Sequence, residues 1–77
     1  MREILEYLAR ELVDQPDEVR VEEAEDDRGV VLTLHVAPDD MGKVIGRGGR
    51  TARAIRTVMK AAGMRAGIHH TAVEIAG

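Results

Sequence analysis

Several residue types are absent or rare in this 77-residue chain, and each absence narrows its chemistry. There is no cysteine, which excludes disulfide bonds and thiolate metal sites. No apolar run approaches the roughly 20 residues that a membrane-spanning helix needs, and the N-terminus shows no signal-peptide pattern. We therefore expect a soluble, cytoplasmic protein without membrane contact. A single domain is expected over residues 1–77, because so short a chain has room for one small core.

Acidic residues are almost absent from the second half of the chain. Residues 1–40 hold four basic and thirteen acidic side chains, a net −9, whereas residues 41–77 hold seven basic and one acidic, a net +6. The total of −3, taken alone, argues against a polyanionic partner. The asymmetry answers that argument, because a local positive field is sufficient to attract a polyanion.

The spacing of apolar residues predicts three helices, over residues 2–14, 41–45 and 51–62. Pro16 ends the first helix, because proline disfavours helical conformation in the residue before it. An aspartate of the run Pro38-Asp39-Asp40 suits the N-cap of the second. Gly63 is a natural C-cap for the third.

Alternation of apolar and polar residues predicts three strands, over residues 19–22, 30–36 and 71–75. A polar turn over residues 23–29 joins the first two as an antiparallel hairpin. Val30, Leu32, Leu34 and Val36 share one face of the second strand. Three strands with one apolar face, covered by helices on that side, give an α/β (α+β) two-layer sandwich.

A glycine-rich loop separates the second and third helices. The run Val44-Ile45-Gly46-Arg47-Gly48-Gly49-Arg50 contains three glycines and two arginines. Glycine allows positive φ and close approach of a ligand to the backbone. Loop amides, the N-terminus of the following helix and flanking arginines together suit a phosphate group. The segment therefore predicts binding of a nucleic acid.

The loop fits neither of two nucleotide-binding patterns associated with enzymes. A P-loop would need its first glycine at Val44 and a lysine at Arg50, and the dinucleotide fingerprint would need glycine at Thr51. No nucleophile, base and orienting acid are recognisable as a set. His69 and His70, adjacent on a strand, would point to opposite faces. We expect no enzymatic activity, no cofactor and no metal ion.

The pattern that does fit is the GXXG loop of the KH domain, which clamps a few nucleotides of single strand between two helices. The run from Val44 to Thr51, followed by Ala54 and Ile55, resembles the KH signature. The predicted order α-β-β-α-α-β resembles the type II, prokaryotic KH domain, whose three-stranded sheet is mixed. Over essentially its whole length, the chain resembles the small bacterial single-KH RNA-binding proteins.

This resemblance implies roles for individual residues. The RNA-binding residues would be Lys43, Val44, Ile45, Gly46, Arg47, Gly48, Gly49, Arg50, Arg53 and Arg56. Among them, the four loop residues would hold phosphates through their amides and the guanidinium of Arg47. The apolar members, with Ala52 and Ile55, would form a floor or its support, and the cations would line the positive side. The far wall would be the last strand and the acidic loop from Glu23 to Arg28.

The resemblance also implies a function and partners. The chain would bind single-stranded RNA as a broad-specificity RNA chaperone or post-transcriptional regulator. It would pair as a homodimer, or as a heterodimer with a second KH-containing protein, since two linked grooves raise avidity. The absence of tryptophan and phenylalanine disfavours modules that stack bases on aromatic rings. The acidic first half leaves a second hypothesis open, a KH-fold adaptor for protein interaction in which RNA contact is secondary.

Overall fold

The computed structural model describes residues 1–76 and contains the six predicted elements in the predicted order. Its helices are α1 (Arg2–Leu12), α2 (Met41–Ile45) and α3 (Arg50–Arg65), and its strands are β1 (Arg20–Asp26), β2 (Gly29–His35) and β3 (Thr71–Ala76). Short 3-10 turns occupy Pro16–Glu18, Pro38–Asp40 and Arg47–Gly49. No helix in this part of the chain is long and apolar enough to cross a bilayer.

The three strands form one mixed sheet in the order β1-β2-β3. β1 runs antiparallel to β2, whereas β3 runs parallel to β2. Two parallel neighbours need a long crossover, and α2 and α3 supply it. The mixed sheet with helices on one face confirms the expected α+β sandwich, with the order of elements of a type II KH domain.

The core lies between the central strand and the helices. Val30, Leu32 and Leu34 of β2 are buried, as the alternation predicted. Leu5 of α1 and Met59 of α3 pack in the same apolar cluster and are fully buried. Burying side chains of this size contributes about 1.5–3 kcal/mol each. The cluster therefore fixes α3 above the sheet and sets the position of the glycine loop.

The predicted boundaries of the first strand and its turn are wrong. β1 continues to Asp26, and the turn shrinks to Asp27 and Arg28. The carboxylate of Asp26 closes this turn by accepting hydrogen bonds from the amides of Arg28 (2.8 Å) and Gly29 (3.1 Å). Acidic residues can continue the strand because it lies at the sheet edge, where only Val21 of its seven residues is buried.

Two helix ends also differ from the prediction. α1 ends at Leu12, and α3 continues past Gly63 to Arg65. The end of α3 is set at Gly67, where the amide of Ile68 donates to the carbonyl of Gly63 (2.8 Å) and the amide of Gly67 donates to that of Met64 (3.1 Å). Gly63 lies within the helix, at a position where a Cβ would come within 2.2 Å of Thr71 Oγ1. It is a packing requirement between α3 and β3.

The side chain of Asp40 does not cap α2, contrary to the prediction. Asp40 is 1% exposed, and its carboxylate accepts hydrogen bonds from the amides of Asp14 (3.3 Å) and Gln15 (3.0 Å). These donors follow α1 and are distant in sequence, so the local N-cap pattern could not reveal them. Asp40 therefore joins the end of α1 to the start of α2.

Candidate nucleic-acid interface

Gly46 opens the loop in a conformation that other residues rarely adopt, with φ 76° and ψ 170°. A Cβ at this position would lie 2.3 Å from Thr51 Oγ1 and 2.9 Å from the Thr51 amide nitrogen. The first turn of α3 is therefore packed directly against the end of α2. Gly46 sets the tight angle between the two helices.

Gly48 and Gly49 also have positive φ, at 64° and 77°, but for them the surrounding space is open. A Cβ at either residue would meet no heavy atom within 4 Å. Packing within the described chain therefore does not require these two positions to lack a side chain. Their absence leaves the backbone bare on the solvent side, where a ligand can approach closely.

Two backbone donors of the loop remain for a ligand. The amide of Gly46 donates to the carbonyl of Gly42 (2.9 Å), and the amide of Gly49 donates to that of Gly46 (3.1 Å). Within residues 1–76, the amides of Arg47 and Gly48 take part in no such bond. α3 begins directly after Gly49 without a side-chain cap. Its first N–H groups and positive dipole end, together with the two loop amides, are a geometry that suits an anion.

The predicted cations differ in how free they are. Arg47, Arg50 and Arg53 are exposed, and no ion pair among residues 1–76 involves them. Lys43 lies on the exposed side of α2 with its Nζ 3.2 Å from a carboxylate oxygen of Asp14. Arg56 donates from Nε to the main-chain carbonyl of Val73 on β3 (3.2 Å). Arg56 thus links α3 to the edge of the sheet.

The predicted apolar residues divide into a surface and its support. Ile45, at 37% exposure, is the most exposed large apolar side chain of α2. Val44 is fully buried, and Ala52 and Ile55 are 4% exposed. Val44, Ala52 and Ile55 therefore support the loop from the core side. Of the four predicted apolar residues, Ile45 offers an open apolar surface.

The predicted far wall needs a correction. The acidic segment from Glu23 to Arg28 is for the most part edge strand β1, and the loop is only two residues long. β1 and β3 lie on opposite sides of β2. The acidic residues of β1 are therefore separated from the α3–β3 side by the central strand, and β3 borders α3 directly.

Comparison with known proteins identifies this arrangement. The model of the KH domain of KhpA and KhpB matches residues 2–75. The chain belongs to the KhpA/KhpB KH-domain family. It is 55% identical over 65 residues to the RNA-binding protein KhpA of Clostridium acetobutylicum, an alignment that covers 84% of this chain and 87% of the relative.

Other relatives in the family carry the same name. The RNA-binding protein KhpA of Streptomyces coelicolor is 55% identical over 65 residues, covering 84% of this chain and 82% of the relative. That of Mycobacterium tuberculosis strain H37Rv is 54% identical over 61 residues, covering 79% and 76%. The family resemblance inferred from the glycine loop and the order of elements is thereby confirmed.

Thr51 is the residue of this KH site whose packing role the sequence did not reveal. Its side chain occupies the space that a Cβ on Gly46 would need. Thr51 also lines the groove between α1 and α3, together with Tyr7 and Ala54. A β-branched residue at the start of a helix, five positions after the first glycine, was the only available signal.

Proposed function

We propose that the chain binds single-stranded RNA, with the backbone phosphates held at the loop Gly46–Gly49. The observation that carries the proposal is the bare backbone of Gly48 and Gly49, which no packing contact among residues 1–76 explains. Around it lie the start of α3, two loop amides and three arginines, for which residues 1–76 supply no cap, backbone acceptor or ion pair, respectively. The names of the relatives as RNA-binding proteins support the same ligand.

Broad specificity follows from the same site. Backbone amides and arginines contact phosphates, which carry no sequence information. The chain has no phenylalanine or tryptophan, and its single tyrosine lies on α1 in the groove facing α3. At the loop itself, selection among bases then rests on the small apolar surface of Ile45. A protein of this kind suits the role of an RNA chaperone or post-transcriptional regulator.

Gly48→Asp tests the loop and has a matched control in Gly67→Asp. Both glycines have positive φ (64° and 82°), and a Cβ on either would meet no described residue within 4 Å. Both substitutions cost a similar, small amount of stability, because aspartate tolerates this backbone region. We expect Gly48→Asp to weaken binding of a labelled six-nucleotide RNA at least tenfold and Gly67→Asp to leave it nearly unchanged. Equal binding by both variants and the unchanged protein in fluorescence anisotropy would refute the loop's role.

A second function is favoured by an apolar patch on the helical side. Ile4 and Leu12 of α1 and Val58 of α3 are large apolar residues that are 42%, 39% and 45% exposed, and Tyr7 of α1 is 65% exposed. They line adjacent grooves of about 300 and 440 Å³ between α1 and α3. Unpartnered apolar surface of this kind is typical of interaction sites.

The occupant that fits this patch is a second copy of the chain. Glu11 borders the groove at one end and Arg65 at the other, with Val58 lining both grooves between them. A two-fold axis near Val58 therefore brings Glu11 of one copy against Arg65 of the next, which makes the surface self-complementary. The free cations Arg50 and Arg53 project from another side of α3 and stay accessible in such a dimer. A second KH-containing protein with the same face is the alternative occupant.

Light scattering after size exclusion tests the dimer. Val58→Asp is expected to give a monomer, whereas Met64→Asp, at a 73% exposed residue on another face of α3, is expected to stay dimeric. Glu11→Arg should weaken the dimer, and adding Arg65→Glu should restore it. A monomeric unchanged protein at 100 μM (about the upper working range for a weak dimer) would contradict self-association and favour the heteromeric alternative. A complex with another protein that survives both nuclease and Gly48→Asp would favour the adaptor function.

A further inference from the structure

A row of cations continues along α3 well beyond the glycine loop. At 100° per residue, Arg50, Arg53, Thr57, Lys60 and Met64 fall within an arc of about 80°. All five are exposed, and Met64 is 73% exposed. We call these five residues the α3 stripe. It is separate from the apolar face that carries Val58 and from the core face that carries Met59.

The stripe borders the open edge of the sheet. Arg56, whose Nε bonds to the carbonyl of Val73, lies about 40° from Lys60 around the helix. The close packing of Gly63 on Thr71 holds the last turns of α3 against the same strand. The side of α3 next to the stripe thus faces β3 along much of its length. The stripe therefore lines one side of a surface path that runs beside β3.

The charge of the stripe is not neutralised within the described chain. Its cations take part in no ion pair among residues 1–76, whereas Lys43, Arg20 and Arg28 each lie beside a carboxylate. The sequence from Met41 to Val73 contains no acidic residue. The positive field therefore extends along α3 from Arg50 to Lys60, ten residue steps that span about 15 Å at 1.5 Å per residue.

We propose that a bound RNA does not end at the glycine loop but continues along the α3 stripe, with Lys60 contacting a phosphate and Met64 a base. This proposal rests on the proposed RNA-binding function and extends its site. A length of 15 Å accommodates about four phosphates at the 3.4 Å spacing of a stacked strand. The full site would then take about eight nucleotides, against the four that a GXXG loop clamps. Met64 supplies a flexible apolar surface at the end of the path.

The length of the RNA separates the two parts of the site. We expect the unchanged protein to bind a ten-nucleotide RNA at least tenfold more tightly than a four-nucleotide RNA. Lys60→Gln should keep the affinity for the short RNA and lose about three- to tenfold for the long one. The matched control is Arg10→Gln, which removes one exposed cation from α1 and should affect neither RNA. For Lys60→Gln, the slope of log K against log salt with the long RNA should also be smaller by about 0.7.

Amide chemical shifts measured by NMR during RNA titration identify the path even when binding is weak. The short RNA should shift the amides of Arg47–Arg50 alone, and the long RNA should in addition shift those of Lys60–Met64. If Lys60→Gln and the unchanged protein respond identically to RNA length, or if Arg10→Gln loses as much, the extended path is refuted while loop binding stands. If neither RNA shifts the loop amides, the proposed function itself fails, and the extension fails with it.

Discussion

At the scale of single residues, the glycines of the loop serve different ends. Gly46 provides room for Thr51 inside the protein, whereas Gly48 provides room outside it. The sequence alone does not distinguish these two glycines, and both have positive φ in the structure. The distinction matters for experiment. We expect substitution of Gly46 to perturb the fold and substitution of Gly48 to test the proposed ligand contact.

Asp40 is expected to be the most important single carboxylate for stability. Its two hydrogen bonds to the amides of Asp14 and Gln15 are charge-assisted, and Asp40→Ala would leave both partly buried donors without their acceptor. We expect a loss of about 2–4 kcal/mol in the free energy of unfolding. The neighbouring Asp39 is exposed, and Asp39→Ala should change it by no more than about 0.5 kcal/mol. Urea denaturation measures both, and similar losses would show that Asp40 does not clamp α1 to α2.

At the scale of elements, α3 carries the organisation of the molecule on three faces. Ala52, Ile55 and Met59 pack in the core, Val58 lies on the apolar patch, and the α3 stripe faces solvent beside β3. One helix thus separates the proposed RNA path from the proposed dimer surface. The two functions are compatible because they use different sides of the same 16 residues.

The contact between α3 and β3 predicts a reversal of an ordinary helix rule. Alanine in place of a mid-helix glycine normally stabilises by about 1 kcal/mol, but at Gly63 the added methyl would meet Thr71 Oγ1. We expect Gly63→Ala to destabilise by about 1–3 kcal/mol. That hydroxyl is buried and has no partner among the described residues, so Thr71→Ala should itself cost little.

A double-mutant cycle with Thr71→Ala decides the origin of that effect. Once Thr71 is truncated, Gly63→Ala should become neutral or stabilising, which gives a coupling energy of about 1–3 kcal/mol. Additive losses in thermal or urea denaturation would mean that the two residues do not meet. The cycle needs no RNA, and its result is therefore independent of the proposed function.

Local patterns predicted the elements, while contacts between distant residues set their ends and several side-chain roles. Alternation was sufficient to identify β2 and its buried face, and the glycine–arginine run was sufficient to locate the loop. Gly63 and Asp40 were misread because their partners, Thr71 and the amides after α1, are 8 and 25–26 residues away. The length of β1 was missed because an edge strand tolerates acidic residues that alternation does not recognise.

At the scale of the whole molecule, the separation of charge is what makes the proposed RNA binding compatible with a net negative charge. The acidic strand β1 occupies one edge of the sheet, and the cationic helix α3 lies beside the other edge, formed by β3. At 0.15 M salt, electrostatic fields fall off within about 8 Å. An RNA strand bound on α3 would therefore be largely screened from the carboxylates of β1. A protein of net charge −3 can therefore present a positive surface to RNA.

Salt dependence tests this separation for the unchanged protein. Four phosphate contacts, from Arg47, Arg50, Arg53 and Lys60, predict a slope of about −2.8 for log K against log salt, because each contact on a single strand contributes about −0.7. Affinity for a ten-nucleotide RNA should then fall about 50-fold between 50 and 200 mM salt.

The double variant Glu23→Gln with Glu25→Gln on β1 serves as the control. It should raise affinity appreciably at 50 mM salt and hardly at 200 mM salt, because salt screens long-range repulsion first. A slope near zero would show that the cations of α3 do not contact phosphates. An equal gain for the β1 variant at both salt concentrations would place the acidic strand next to the RNA, against the topology of the sheet.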